Sequence, residues 1–184
     1  MGDLVSRKIY ALFGLVGPLI AFLFIGVSIA YSPWFRWEKN ALSDLGHSVK
    51  SGVAPIFNFG LLLTGLLVIL YAIGVLVEYA QFTGYSLVIA AFNLQLVAVF
   101  DEVYGRLHWA VSLLFFVSMG AASVIYALER RSYAAAIAFV IGLLSWILYW
   151  AGIYSAGVAV PETISALAIL PWIISSAVEV YASE

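Results

Sequence analysis

Six apolar runs, each close to the length needed to cross a bilayer, dominate this sequence and leave few ways for it to fold. A spanning helix needs about 20 residues, because the hydrocarbon core is about 30 Å thick and each residue adds about 1.5 Å. We place the predicted spans at Ile9–Tyr31, Val53–Tyr79, Thr83–Phe100, Leu107–Leu128, Tyr133–Tyr154 and Pro161–Tyr181.

Composition agrees with an integral membrane protein. The chain is 65% apolar and 10% charged, whereas soluble domains are roughly 45–50% apolar and about 25% charged. No basic run indicates nucleic-acid binding. Without cysteine the chain has no disulfide, thiolate metal site or thiol nucleophile. We therefore expect an all-α polytopic membrane protein, with residues 1–184 forming one bundle of six transmembrane helices.

The orientation prediction depends on basic residues near the helix ends. The terminal side of the predicted bundle carries Arg7, Lys8, Arg130 and Arg131. The opposite side carries Arg36, Lys39, Lys50 and Arg106. The numbers tie, but the first set immediately adjoins the spans, where the positive-inside rule is strongest. We predict a multi-pass protein of the cell membrane with both termini in the cytoplasm.

The longest connection, residues 32–52, contains an unusual polar segment. Helical spacings of i, i+3, i+4 and i+7 put four polar side chains on one face: Asn40, Ser43, Asp44 and His47. Another face would carry Trp34, Trp37, Ala41 and Leu45. This pattern predicts an amphipathic helix whose tryptophans rest on the bilayer. Because Gly46 can end such a helix, we favour the first three polar residues over His47.

With six spans, the first, third and fifth connections emerge together on one side, which we call the odd-loop face. The third brings Glu102 and His108, and the start of the sixth span brings Glu162. We predict a polar pocket that binds a lipid headgroup or small polar ligand through Asn40, Ser43, Asp44, Glu102, His108 and Glu162. Simpler interpretations are a Glu102–Arg106 ion pair, a locally hydrogen-bonded His108 and a helix-start role for Glu162.

Two other functions stay open. An intramembrane lipid hydrolase would use Ser43 as nucleophile, His108 as base and Asp44 or Glu102 to orient it. A metal-dependent version would need two histidines and a carboxylate, but no local motif supports it, so we predict neither metal nor cofactor. Alternatively, the chain is a structural subunit of a homo-oligomer or larger membrane complex. Whichever function holds, we expect the amides within the spans to bond between helices and fix their packing, namely Asn58, Asn93 and Gln95.

Several motifs occur in an order that resembles a known family. They are Asn40–Gly46, Phe57–Gly60 with Gly65, Phe100 with Glu102, His108 with Leu114–Phe116, and Pro161 with Glu162. Together they resemble the archaeal and bacterial six-span membrane family catalogued as domain of unknown function 998. Asp101 departs from the pattern, which would have proline there. The family has no established activity, so the resemblance implies an architecture and a polar patch rather than a reaction.

The Ser-Asp-x-Gly element at Ser43–Gly46 carries a second resemblance. It is similar to the eukaryotic damage-regulated autophagy modulator group, which are six-span proteins tied to membrane and lipid homeostasis. The partner that we expect, membrane lipid, follows from the predicted polar pocket and not from this resemblance.

Overall fold

The computed structural model describes residues 2–153 and 155–183, with side chains from Val5 onward. Its six long helices are α1 Gly2–Ala30, α2 Ala54–Tyr71, α3 Gln81–Val99, α4 Arg106–Glu129, α5 Tyr133–Trp150 and α6 Ala159–Ala182. A π-helical turn at Ala72–Leu76 and a last turn at Val77–Tyr79 extend α2. The predicted number of spans is confirmed, because six helices are long and apolar enough to cross a membrane. Tyr154, the predicted end of the fifth span, lies outside the described residues.

Tight turns join the helices on the terminal side. Ala80 alone separates the last turn after α2 from α3. Between α4 and α5, Arg131 takes a positive φ of 52° and the Ser132 hydroxyl accepts a hydrogen bond from the Ala135 backbone at 3.3 Å. Turns this short force each pair of helices to run antiparallel.

The six helices form a closed ring. Each helix packs against the helices before and after it in sequence, and α6 returns to pack against α1. Because consecutive helices alternate in direction, the first, third and fifth connections share one end of this ring. The ring therefore encloses an interior whose far end lies at the odd-loop face.

Two hydrophobic cores fill the ring at different depths. The core of the terminal half is built around Tyr71, Tyr126 and Trp172, each at most 2% exposed. The Tyr126 and Trp172 rings stack with centroids 5.0 Å apart, and the Tyr71 and Ser176 hydroxyls are 2.8 Å apart. The second core lies beneath the first connection and includes Leu42, Leu45, Phe57, Val111 and Ala159.

Amide side chains within the spans make specific tertiary bonds. Asn93 of α3 donates to the Ser118 hydroxyl of α4 at 3.1 Å, and Gln95 donates to the Leu62 carbonyl of α2 at 3.2 Å. These two contacts confirm the predicted interhelical role. Asn58 differs, since it donates to the Gly46 carbonyl at 2.9 Å and so fastens the first connection to α2.

The terminal side of the bundle is closed by paired charges and aromatic rings. Arg7 forms an ion pair with Glu78 at 2.5 Å, and the Arg130 guanidinium lies 3.8 Å from the centre of the Tyr79 ring. Glu129 accepts hydrogen bonds from the Thr83 backbone N–H at 2.9 Å and from its hydroxyl at 2.7 Å. Each of these charged groups has a partner that stabilises the end of the bundle.

Candidate functional site

The third and fifth connections each bond directly to the first at the odd-loop face. Gly157 N–H donates to the Trp37 carbonyl at 2.8 Å, and Ala159 N–H donates to the Asn40 carbonyl at 2.9 Å. A Cβ on Gly157 would lie 2.4 Å from the Asn40 carbonyl oxygen, so only glycine fits this approach. The three connections thus form one layer above the bundle.

The Asp44 carboxylate organises the 40–47 segment through hydrogen bonds. Oδ2 of Asp44 accepts hydrogen bonds from the Asn40 amide at 2.6 Å and the Ala41 backbone at 3.0 Å. These bonds start a 3-10 helix at Leu42–Gly46, which is shorter than the amphipathic pattern allows. A Cβ on Gly46 would lie 2.5 Å from Oδ1 of Asn58, so the segment ends in tight contact with α2. Asn40 and His47 flank the short helix rather than extending it.

Asp44 and Glu102 form a carboxyl pair across the first and third connections. Their side chains hydrogen-bond to each other, and the Ser43 hydroxyl donates to Oε1 of Glu102 at 2.9 Å. Burial, the contact with Asp44 and its charge raise the pKa of Glu102 to about 7. Burial opposes ionisation of Asp44 as well, but hydrogen bonds from Glu102, Asn40 and Ala41 hold its pKa below the usual value. The shared proton therefore resides mainly on Glu102.

Glu162 approaches the same place from the first turn of α6. Oε2 accepts a hydrogen bond from the Leu42 backbone at 2.7 Å, whereas Oε1 has no hydrogen-bond partner among the described residues. The charged groups that act most strongly on Glu162 are the acids Glu102 and Asp44. A carboxyl oxygen can accept further hydrogen bonds, so Oε1 stays available to a donor.

His108 is held by its own neighbourhood. Its Nδ1 lies 2.8 Å from the Phe100 carbonyl, and its Nε2 lies 3.3 Å from the Ser112 hydroxyl. Because a carbonyl oxygen only accepts, Nδ1 must carry the proton in the first contact. The imidazole is 9% exposed and ties the end of α3 to the start of α4. This is the locally hydrogen-bonded interpretation of His108.

The contacts of Ser43 and Glu102 bear on the serine-hydrolase hypothesis and on the Glu102–Arg106 ion pair. Ser43 bonds to Glu102 and both ring nitrogens of His108 bond elsewhere, so these described residues make no Ser–His pair of the kind a serine hydrolase uses. Glu102 and Arg106, both within the described ranges, make no ion pair either. The prediction of that ion pair is wrong because Glu102 turns inward to the first connection.

The histidines and acids are not grouped as metal ligands. No set of three His, Asp or Glu side chains with suitable geometry occurs in the part of the chain that the structure describes. His47 closes its own turn, with Nδ1 accepting from the Val49 and Lys50 backbone at 3.3 and 3.4 Å.

Asp101, the departure from the family pattern, shapes the third connection. Its carboxylate accepts from Val103 N–H at 2.8 Å and Ser48 N–H at 3.2 Å. Burial opposes ionisation, but these hydrogen bonds lower the pKa of Asp101 below its usual value. Gly105, with φ of 54°, then leads directly into α4. A charged cap and a glycine thus make the turn that aims Glu102 inward.

The 40–47 segment separates two cavities. The outer pocket, about 220 Å³, is lined by Trp34, Asn40, Asp44, His47 and Lys50. The second cavity, which we call the inner channel, is about 110 Å³ and lies inside the helix ring, with Leu42, Ser43 and Glu162 at one end. Leu42 and Ser43 of the short helix thus contact the inner channel, and Asp44 contacts the outer pocket.

One family matches almost the whole chain. The family described as "Protein of unknown function (DUF998)" matches residues 15–179. The chain belongs to the DUF998 family. No curated protein and no solved structure gave a match. The resemblance stated from the motifs is therefore confirmed, while the link to the autophagy modulator group stays a prediction.

In this DUF998 protein the matched range includes every predicted site residue. In the structure the Asn40 side chain bonds to Asp44, and both Asp44 and Ser43 bond to Glu102. The Leu42 backbone of the same turn bonds to Glu162. His108 has no described hydrogen bond to this group.

Two residues at the inner channel were missed by sequence reasoning. Thr64 of α2 is 4% exposed, and its hydroxyl has no hydrogen-bond partner among the described residues. Ser112 lies one helical turn after His108, to which it bonds. Both line the inner channel. A hydroxyl inside a spanning helix was the available signal, but such residues are common and usually serve packing.

Proposed function

We propose that this membrane protein binds a lipid headgroup, or a small polar ligand of the same chemistry, at the odd-loop face. The observation that carries the proposal is the meeting of three carboxyl groups from three parts of the chain, Asp44, Glu102 and Glu162. None of them is ion-paired with a described lysine, arginine or histidine. Asn40 and Ser43 complete the site, and His108 contributes by holding Ser112.

The chemistry of the site favours a ligand with N–H donors and a positive charge. Ionised carboxylates accept hydrogen bonds but donate none. Two carboxyls in contact share a proton because both cannot ionise cheaply at that distance. A cationic head can take the place of this proton and bond to both acids. An ammonium group fits these demands, whether it belongs to a lipid headgroup or a small amine.

We further propose that the site faces away from the cytoplasm, in a protein of the cell membrane whose termini are both cytoplasmic. Arg7 and Lys8 lie in the first turns of α1, and Arg130 and Arg131 follow the end of α4, both on the terminal side, where basic residues favour cytoplasmic placement. The outer pocket would then be open to solutes outside the cell.

Calorimetric titration of ethylamine tests the proposal, using purified protein in phosphatidylcholine nanodiscs with empty nanodiscs subtracted. We expect saturable binding that Asp44→Asn and Glu102→Gln each weaken about tenfold, since a hydrogen bond to a charged group is worth about 1.5–3 kcal/mol. Glu38→Gln is the matched control, because it removes one exposed carboxylate from the same connection without touching the site.

Two results would overturn the proposal. One is the absence of ethylamine binding to the unmodified protein. The other is equal affinity in Asp44→Asn, Glu102→Gln and Glu38→Gln. If the first two variants lowered only folding or assembly, the polar residues would serve the structural role of a complex subunit.

A further inference from the structure

The wall of the inner channel is built by regularly spaced residues of five helices. On α6 they are Glu162, Ala166, Ile169, Leu170 and Ile173, and on α2 they are Phe57, Leu61, Thr64 and Val68. Such spacings mark one face of a helix. Helices α1, α3 and α4 complete the wall, and no described residue of α5 lines it. The channel is thus lined by five of the six long helices.

The dimensions of the channel limit what it can hold. From Glu162 to Ile173 the wall extends about 16 Å, because each helical residue adds about 1.5 Å. Its volume of about 110 Å³ is below the roughly 150 Å³ of a cavity that binds a benzene ring. A cavity with a long wall and so little volume is narrow, and it suits one unbranched chain better than a ring or two chains.

The polar groups of the channel are concentrated at the odd-loop end. The second oxygen of Glu162 has no hydrogen-bond partner among the described residues, and Ser43 lies at the same end. Farther along, the Thr64 hydroxyl is also without a described partner although the residue is only 4% exposed. Buried polar groups are normally hydrogen-bonded, so the Thr64 hydroxyl points to a polar partner in the channel, and the second oxygen of Glu162 is available to the same partner.

We infer that the inner channel holds the hydrocarbon tail of a single-chain amphiphile whose ammonium head bonds to Glu162 and Ser43. The inference rests on the proposed function, since the head uses the same acidic cluster, and it adds the class of ligand. The 40–47 segment covers the head through Leu42 and Ser43. The tail extends along α2 and α6 towards Ile173.

The origin of affinity differs between a ligand from water and one from the bilayer. A tail moving from lipid into an apolar channel gains little, because lipid tails are as apolar as the channel wall. A tail arriving from water gains about fourfold in affinity for each methylene buried. Water-soluble alkylamines of increasing length therefore report directly on the channel.

The test compares ethylamine, butylamine, hexylamine and octylamine by calorimetry in phosphatidylcholine nanodiscs, with empty nanodiscs subtracted. Ala166→Phe narrows the channel one turn below Glu162, and Ala21→Phe narrows it from α1 if the first variant does not fold. Ala121→Phe is the matched control, because Ala121 lies on an exposed face of α4. Glu162→Gln keeps an acceptor for Leu42 N–H but removes the charge.

We expect affinity to rise severalfold from ethylamine to butylamine and then to level off, because longer tails exceed the channel volume of about 110 Å³. The same dependence is expected in Ala121→Phe. The narrowed variants should bind all four amines as weakly as ethylamine. Glu162→Gln should keep the dependence on length but lose the preference for octylamine over 1-octanol. Octylamine that binds no tighter than ethylamine, or that binds Ala166→Phe and Ala21→Phe unchanged, would overturn the inference.

Ethylamine binding distinguishes failure of the headgroup site from failure of the channel assignment. If ethylamine binds and depends on Asp44 and Glu102 while chain length has no effect, the headgroup site stands and the channel assignment is wrong. If no amine binds, both are wrong.

Discussion

The Ser43 hydroxyl lies 2.9 Å from Oε1 of Glu102 and joins the first connection to the third through side chains alone. The same glutamic acid also meets Asp44, which lines the outer pocket, while Ser43 lines the inner channel. Glu102 therefore stands between the two cavities, and its protonation affects the segment that separates them.

Stability of the odd-loop face should fall as the pH rises from 5 to 8. The pKa of Glu102 is raised from 4.5 to about 7 by burial and by Asp44, so the folded state binds this proton more tightly than the unfolded state. Its stabilisation is complete below about pH 4.5 and is lost as the pH rises through about 7. We expect a loss of about 1–2 kcal/mol in unfolding free energy, after allowing for solvent screening.

Glu102→Gln isolates this dependence from that of the histidines. The amide keeps an acceptor for Ser43 but cannot ionise, so the fall in stability between pH 5 and 8 should be smaller than in the unmodified protein. Glu38→Gln should retain the full fall. Identical pH profiles for all three proteins, measured by thermal unfolding, would contradict the assignment of the proton to Glu102.

The stabilisation that ionised Asp44 provides should be lost as the pH falls, whereas that of protonated Glu102 is lost as the pH rises. Burial works against its ionised form, but its hydrogen bonds hold the pKa below 3.8, so its stabilisation is present above that value and is lost as the pH falls through the lowered pKa. Hydrogen exchange of residues 40–47 at pH 5 and pH 3 measures this effect. After correction for the intrinsic exchange rate at each pH, protection factors should be lower at pH 3, and Asp44→Asn should show low protection at both.

Gly157→Ala should loosen the fifth connection from the first. Its Cβ would lie 2.4 Å from the Asn40 carbonyl oxygen, a backbone atom that cannot move alone. We expect a loss of about 1–3 kcal/mol, as for other overpacked sites, measured by unfolding in detergent. Gly26→Ala is the control, since a Cβ at Gly26 meets nothing within 4 Å. Equal stability of the two variants would contradict the described approach.

His108→Ala should act on stability more than on ligand binding. It leaves the Phe100 carbonyl and the Ser112 hydroxyl without their partner, and an unsatisfied buried group costs about 1–3 kcal/mol. Thermal unfolding should show this loss, while ethylamine affinity should change less than in Asp44→Asn. An affinity loss as large as that of Asp44→Asn would mean that His108 contacts the ligand.

Trp172 offers a test of the terminal core. Its ring is fully buried and stacked on Tyr126, but its Nε1 has no hydrogen-bond partner among the described residues. Trp172→Ala should cost about 3–5 kcal/mol in unfolding free energy. Trp172→Phe should cost much less, because it keeps an aromatic ring against Tyr126 and breaks no described hydrogen bond. If the phenylalanine variant were as unstable as the alanine variant, the stacking described for Trp172 would not account for its contribution.

The sequence could predict the architecture because membrane spans are set by length and apolarity alone. Six runs and their order also imply that Asp44, Glu102 and Glu162 share one end of the bundle. The bonds among them could not be predicted. Whether Glu102 turns towards Arg106 or Ser43 depends on the Asp101 cap and Gly105, which act only in the folded connection.

The inner channel was also beyond sequence reasoning. It exists where faces of five helices fail to meet, between the core of Tyr71 and Trp172 and the core of Leu45 and Phe57. Side-chain periodicity identifies such faces but not the space left between them. The role of His108 likewise depends on a carbonyl eight residues earlier in the chain, which the third connection brings within 2.8 Å.

Photo-crosslinking tests the central claim most directly. The probe is an alkylamine that carries a diazirine at the end of its tail, applied to the protein in nanodiscs, with labelled peptides located by mass spectrometry. We expect labelling of the channel wall on α2 or α6, and its loss in Ala166→Phe and Ala21→Phe, which narrow the channel. Labelling confined to outward-facing residues, unchanged in these two variants, would contradict the inference.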